Sequence, residues 1–183
     1  MTVMVRDGRP ADAAAVARIH VGAWQHAYRG LVGDAVLDAL DVDARTASWG
    51  EWIARSLRGD GTDGDVRHEL LVAERDAEVV GWATFGPARA ADRAGWGELA
   101  GLYVAPAAAR SGVGRALVSE VERRLAAAGC THAYLWVLEG NAPAEQAYER
   151  YGWTEDGARL EDVETDPTRT LVDRARVRTL PAV

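Results

Sequence analysis

Val113, Leu117, Val121 and Leu125 recur at four-residue spacing and mark one buried face of a helix, while Glu120, Arg123 and Arg124 fall on the other side. The same reading along the chain predicts short strands alternating with amphipathic helices. A brief strand over residues 3–6 precedes a helix opened by Pro10-Ala11-Asp12, with an apolar stripe of Val16, Ile19, Ala23 and Trp24 and an end near Gly30. A short helix is expected over 32–40. A third, over 42–57, has Trp49, Ile53 and Leu57 on one side, and 59–64 is a Gly- and Asp-rich loop.

Strands follow over 70–74 and 79–85, joined by a turn at Asp76-Ala77. After a loop over 86–95 comes a central strand over 99–104. The patterned helix spans 111–128 and stops at Gly129. A strand over 132–138 leads to a helix over 143–151 with Pro143 at its first position. Closing strands over 153–159 and 174–180 flank an acidic segment, 161–170, expected to be a mobile loop. This order predicts an α/β fold with a mixed, mostly antiparallel sheet flanked by helices.

Composition narrows the function classes. The 183 residues are 48% hydrophobic and 27% charged, which fits one folded domain over 1–183. No apolar run is long enough for a membrane span, and the first seven residues lack a signal-peptide pattern, so no membrane partner is expected. A lone cysteine, Cys130, excludes an intrachain disulfide and points to a cytoplasmic setting. A net charge of −7 disfavours nucleic acid as a partner. His20 and His26, six apart on a helix, do not share a face, so no metal site is expected.

The stretch from Gly97 to Val118 carries the chemistry. It reads as an apolar strand, a turn at Pro106, a loop with Gly112 and Gly114, and a helix start. Glycines at such a junction allow close approach to a ligand, and the first turn offers unpaired N–H groups and a positive dipole end, a combination that binds phosphate. A dinucleotide fingerprint would need glycine where Leu117 stands, and a P-loop needs a lysine, which the chain lacks.

The stretch resembles the acyl-CoA loop of the GCN5-related N-acetyltransferases, a strand ending Val-x-Pro and then Gln/Arg-x-x-Gly-x-Gly/Ala. Ala109 stands where that family has Gln or Arg, with Arg110 beside it. A second stretch, Asn141-Ala142-Pro143-Ala144-Glu145-Gln146-Ala147-Tyr148-Glu149-Arg150-Tyr151-Gly152-Trp153, is similar to the family's second cofactor motif, with Asn, Ala, Tyr, Glu, Arg and Gly in register. The resemblance covers residues 97–153.

It implies a sheet with splayed central strands and acetyl-CoA as co-substrate. Leu102, Tyr103 and Val104 would offer backbone groups to the pantetheine arm. Ala109, Arg110, Ser111, Gly112, Val113, Gly114 and Arg115 would surround the phosphates, with Asn141 and Ala144 also on the cofactor. Tyr148 would be the acid that protonates the leaving thiolate, and it equally fits a core stripe with Ala144, Ala147 and Tyr151. Glu98 would be the base for the acceptor amine, or a solvated glutamate at a strand edge. Trp24, Tyr28, Trp49 and Trp52 would form an aromatic acceptor pocket, with core packing the competing reading for Trp24 and Trp49, and Tyr103 would line it or pack under a helix. Asn141 fits an N-cap as well.

The expected activity is acetyl transfer to a primary amine of a small molecule by direct attack. The alternatives are a CoA-binding sensor or partner module without turnover, and an acetyltransferase acting on charged tRNA, which the acidic charge disfavours. Homodimers are common in that family; no residue here specifies one.

Overall fold

Strand β2 (Glu69–Arg75) is buried on both faces, and that sets the architecture: Leu71 and Ala73 turn to one layer of helices, Leu70 and Val72 to another. The computed structural model describes residues 2–62 and 66–181, so residues 63 and 64 of the loop expected over 59–64 lie outside it. The strands are β1 (Met4–Asp7), β2, β3 (Glu78–Pro87), β4 (Gly97–Val104), β5 (His132–Leu138), β6 (Thr154–Asp162) and β7 (Leu171–Thr179). The helices are α1 (Ala13–Ala27), α2 (Asp34–Asp38), α3 (Val42–Arg58), α4 (Val113–Ala127) and α5 (Ala142–Arg150).

The seven strands form one sheet in the order β1-β2-β3-β4-β5-β7-β6. Every neighbouring pair is antiparallel except β4 and β5. That is the mixed, mostly antiparallel sheet the pattern predicts.

On one side, α4 buries Val113, Leu117, Val121 and Leu125 against Leu71, Ala83, Leu99 and Leu135. On the other, α1 and α3 bury Val16, Ile19, Trp49 and Ile53 against Leu70, Val72 and Trp82. A smaller cluster joins Val32 and Leu37 to Leu171, with Tyr28 and Leu138 packed on it. Local chemistry sets the helix ends. Asp41 accepts from Ala44 N at 2.6 Å to start α3, and Gly59, at φ 83°, closes it in the left-handed region.

The structure departs from the sequence pattern in two informative places. α1 ends at Ala27, ahead of Gly30, because Tyr28 and the bridge between Arg29 and Val32 turn the chain toward α2. The segment expected to be a mobile loop is pinned instead. Asp162 belongs to β6, and Asp166, 1% exposed, accepts from Gly33 N at 2.7 Å and from Thr168. A buried carboxylate with these donors fastens 163–170 to the α1–α2 connection.

Candidate active site

β4 and β5 pair at only two positions, Gly97 with Ala133 and Glu98 with Tyr134, and then part. β4 stays paired to β3 through Val104, with a bulge at Ala100 where the register shifts between Thr84 and Phe85. Ala105 N donates to Val80 O at 2.9 Å, so by alternation Tyr103 and Gly101 also turn their backbone groups toward β3. Leu102 and Val104 therefore point their N–H and C=O groups into the space that β5 has left. A cavity of about 660 Å³ occupies it, walled by residues 99–104 of β4, 135–138 of β5 and one face of α5.

One end of this cavity is the start of α4. Arg110 and Gly112 both have positive φ, 57° and 89°. Gly112 is the N-cap and offers no side chain, and the first helical bond is Ala116 N to Gly112 O. The N–H groups of Val113, Gly114 and Arg115 are thus without a helical acceptor. A Cβ built on Gly112 meets nothing within 4 Å, so the space over these donors is open. Donors, dipole and clearance suit a phosphate. Gly112, Gly114, Ala109 and Arg110 line the cavity.

The other letters of that loop act differently. The Ser111 hydroxyl donates to Ala108 O at 2.6 Å and accepts from Arg75, so it fixes the loop. Val113 is buried in the core, and the Arg115 guanidinium lies 5.2 Å over the Tyr151 ring. Ser111 and Val113 have only backbone N–H groups left for a ligand, while the exposed Arg115 guanidinium keeps its donors beside them.

Asn141 is both things its position allowed. It caps α5, accepting from Ala144 N at 3.4 Å, and it lines the cavity with Ala144. Tyr148 projects from α5 into the same space, with Tyr151 and Trp153 edge-on to its ring. Among the described residues its hydroxyl has no hydrogen-bond partner. Burial, with Tyr103 and Tyr151 nearby, holds that hydroxyl well above the ordinary tyrosine value.

The wall facing α1 is aromatic. Tyr28 and Tyr103 join hydroxyl to hydroxyl at 3.2 Å, and both line the cavity. Tyr103 stacks on His20 and tilts against Trp82, so it packs under α1 while fronting the cavity. Burial raises both tyrosines' pKa values. His20 accepts from Trp49 Nε1 at 3.2 Å, and burial followed by the Arg45 charge pushes its pKa down to about 4. Trp24 stands behind, edge-on to Tyr28, and is absent from the cavity wall; Trp49 is core.

Glu98 requires a correction. Its carboxylate is 1% exposed, takes both Arg89 side-chain and backbone donors and the Tyr134 hydroxyl at 2.7 Å, and does not line the cavity. Burial alone would raise its pKa, yet the bonds from Arg89 and Tyr134 outweigh it and the net shift is downward. A buried, fully engaged carboxylate has neither access to an acceptor nor the basicity to deprotonate it. Sequence reasoning missed Trp136 and Leu138 of β5, which line the cavity on the acceptor side. Their alternation with Leu135 and Val137 held that information, since those two pack toward α4.

Comparisons with known proteins agree with this geometry. A model described as the Acetyltransferase (GNAT) family matches residues 33–153. The chain is 28% identical to the N-acetyltransferase YuaI of Bacillus subtilis over 94% of its length and 99% of that protein's. It is 27% identical to a probable N-acetyltransferase of Mycobacterium tuberculosis, over 85% and 82% of the two chains. Among solved structures it is similar to YncA of Salmonella typhimurium with acetyl-CoA, at 27% identity and a TM-score of 0.69, covering 99% and 95%. It also shares its fold with the PaiA N-acetyltransferase of Thermoplasma acidophilum in complex with coenzyme A, at 18% identity and a TM-score of 0.76, covering 98% and 99%.

Proposed function

The chain belongs to the GNAT acetyltransferase family, and from that premise we propose that it moves an acetyl group from acetyl-CoA to a primary amine of a small molecule, within one domain. The observation that carries this reading is the parting of β4 and β5 beside the uncapped start of α4. It makes one continuous space with phosphate donors at one end and unpaired strand backbone along its side.

Acetyl-CoA, when bound, supplies an acyl group activated as a thioester. The N–H groups of Val113, Gly114 and Arg115 hold its phosphates, and the outward backbone edges of Leu102 and Val104 pair with the amides of its arm. A β4 N–H aimed at the carbonyl oxygen polarises it. Asn141 and Ala144 close the arm from α5. Tyr148 keeps its proton at neutral pH, because its pKa is raised, and delivers it to the departing sulfur. With Glu98 withdrawn, the acceptor ammonium sheds one proton to water before the neutral amine attacks. The second, lost from nitrogen as the amide forms, passes through water to restore the Tyr148 phenol. Tyr28 and Tyr103 wall the acceptor end.

Calorimetric titration with acetyl-CoA and with CoA tests the reading, repeated on Gly112→Glu. Micromolar binding that the variant loses supports phosphates at the α4 start. No binding by the wild type sinks the proposal. Binding without thiol release across an amine panel favours a CoA sensor instead.

A further inference from the structure

The face of β7 turned toward α1 carries a carboxylate that the proposed chemistry leaves unused. Asp173 pairs across the strands with Leu138, so the two share a face; Leu138 lines the cavity, and Asp173, half-buried, stands beyond that lining. Leu171, two residues earlier on that face, is buried against Val32 and Leu37 with Tyr28 packed on it. This places the Asp173 carboxylate on the aromatic side of the sheet. Its strand neighbours Arg174 and Arg176 point the other way, where Glu139, Glu155 and Glu149 engage them. Among the described residues Asp173 makes no ion pair and accepts no hydrogen bond.

A half-buried carboxylate with no counter-ion is an electrostatic cost that a bound cation removes. Burial, and then the charge of Asp162, push its pKa upward. Asp162 itself is satisfied by the backbone N–H groups of Glu164 and Thr165, so its charge adds to the field without competing for a ligand. The Tyr28 and Tyr103 hydroxyls both lie within the field of Asp173, and their oxygens can accept from an ammonium.

Position decides what that cation is. Asp173 stands one strand beyond β5, displaced from the β4–β5 gap by about 5 Å of strand spacing. The nitrogen that attacks in the gap has to be neutral, so its charge is not the one held here. We infer that Asp173 holds a second, distal ammonium of the acceptor, which makes the acceptor class a diamine or polyamine. One nitrogen reacts in the gap while the other rests against Asp173 and the Tyr28–Tyr103 hydroxyl pair. The inference rests on the acyltransferase reading for the reacting end alone.

Calorimetric titration of 1,4-diaminobutane and of butylamine into the full chain tests it, with and without saturating CoA, on wild type, Asp173→Asn and Asp173→Glu. CoA affinity in the same variants serves as the control for folding. The wild type is expected to bind the diamine at least tenfold more tightly than butylamine. Asp173→Asn erases that preference, Asp173→Glu keeps part of it, and neither changes CoA binding. Equal binding of the two amines, no saturable binding of the diamine, or full preference in Asp173→Asn overturns the inference. Failure of the wild type to bind CoA strikes the acyltransferase reading instead and leaves the amine result standing by itself.

Discussion

The Tyr134 hydroxyl donates to Glu98 Oε2 at 2.7 Å, and these two residues are the last pair before β4 and β5 part. Arg89 closes on the other oxygen at 2.6 Å, and His68 Nε2 stands 4.0 Å away. The arrangement fastens the apex of the gap, so that the strands separate at a defined residue. Glu98 is therefore a clamp for the site.

Replacing Glu98 by Gln should cost stability and leave chemistry nearly untouched. Because Arg89 is partly solvated, the expected loss is about 1–2 kcal/mol, below that of a fully buried pair. Glu98 has a lowered pKa in the fold, so its contribution is present above the ordinary glutamate value and fades as pH falls through the lowered one. Urea melts of wild type and variant should differ at pH 7 and converge at strongly acidic pH. A thousandfold drop in kcat with unchanged stability would restore Glu98 as the base.

Tyr148→Phe removes a hydroxyl that no protein group uses among the described residues, so the fold should hold. Acetyl-CoA affinity should stay within twofold while kcat falls about 100-fold, the scale of a lost general acid. The raised pKa keeps the hydroxyl protonated beyond the ordinary tyrosine value of about 10, so wild-type kcat should show no alkaline decline below that pH. Thiol release measured against pH checks both.

His20 gives stability its own pH dependence. It binds a proton near pH 6.5 when unfolded but only near 4 when folded. Between those values the unfolded chain holds more protons, so stability is full above 6.5 and declines as pH falls toward 4, by up to about 3 kcal/mol. His20→Gln, whose amide oxygen can still accept from Trp49, should flatten that slope in urea melts taken across the window.

Asp166→Ala should loosen two distant segments together. The Gly33 N–H loses its acceptor and 163–170 its anchor, so amide exchange at Gly33 and along that stretch should quicken about tenfold or more. Unchanged exchange at Gly33 would show that the anchor lies elsewhere.

Legibility followed distance along the chain. The four-residue repeat of α4 and the alternation in β2–β5 are local, and each landed within a few residues of its element. The small residues at 112 and 114, and Asn141 ahead of Pro143, were readable because turn and cap chemistry depend on immediate neighbours. Glu98 was not. Its decisive partners are Arg89, in a loop, and Tyr134, 36 residues on, and only their approach turned a strand-edge glutamate into a buried clamp.

By itself, then, the sequence determined the elements, their order and the glycine-bearing start of α4, since hydrophobic period, helix capping and glycine conformation are properties of short segments. Tertiary structure alone decided which side chains share the cavity. Tyr28 meets Tyr103 across 75 residues, Asp166 reaches Gly33 across 133, and Asp173 shares a sheet face with Leu138 through their register. Those relationships depend on strand register and on burial. A carboxylate or hydroxyl takes its pKa, its partners and its access to substrate from the groups packed around it in space, and the chain's linear order does not record them.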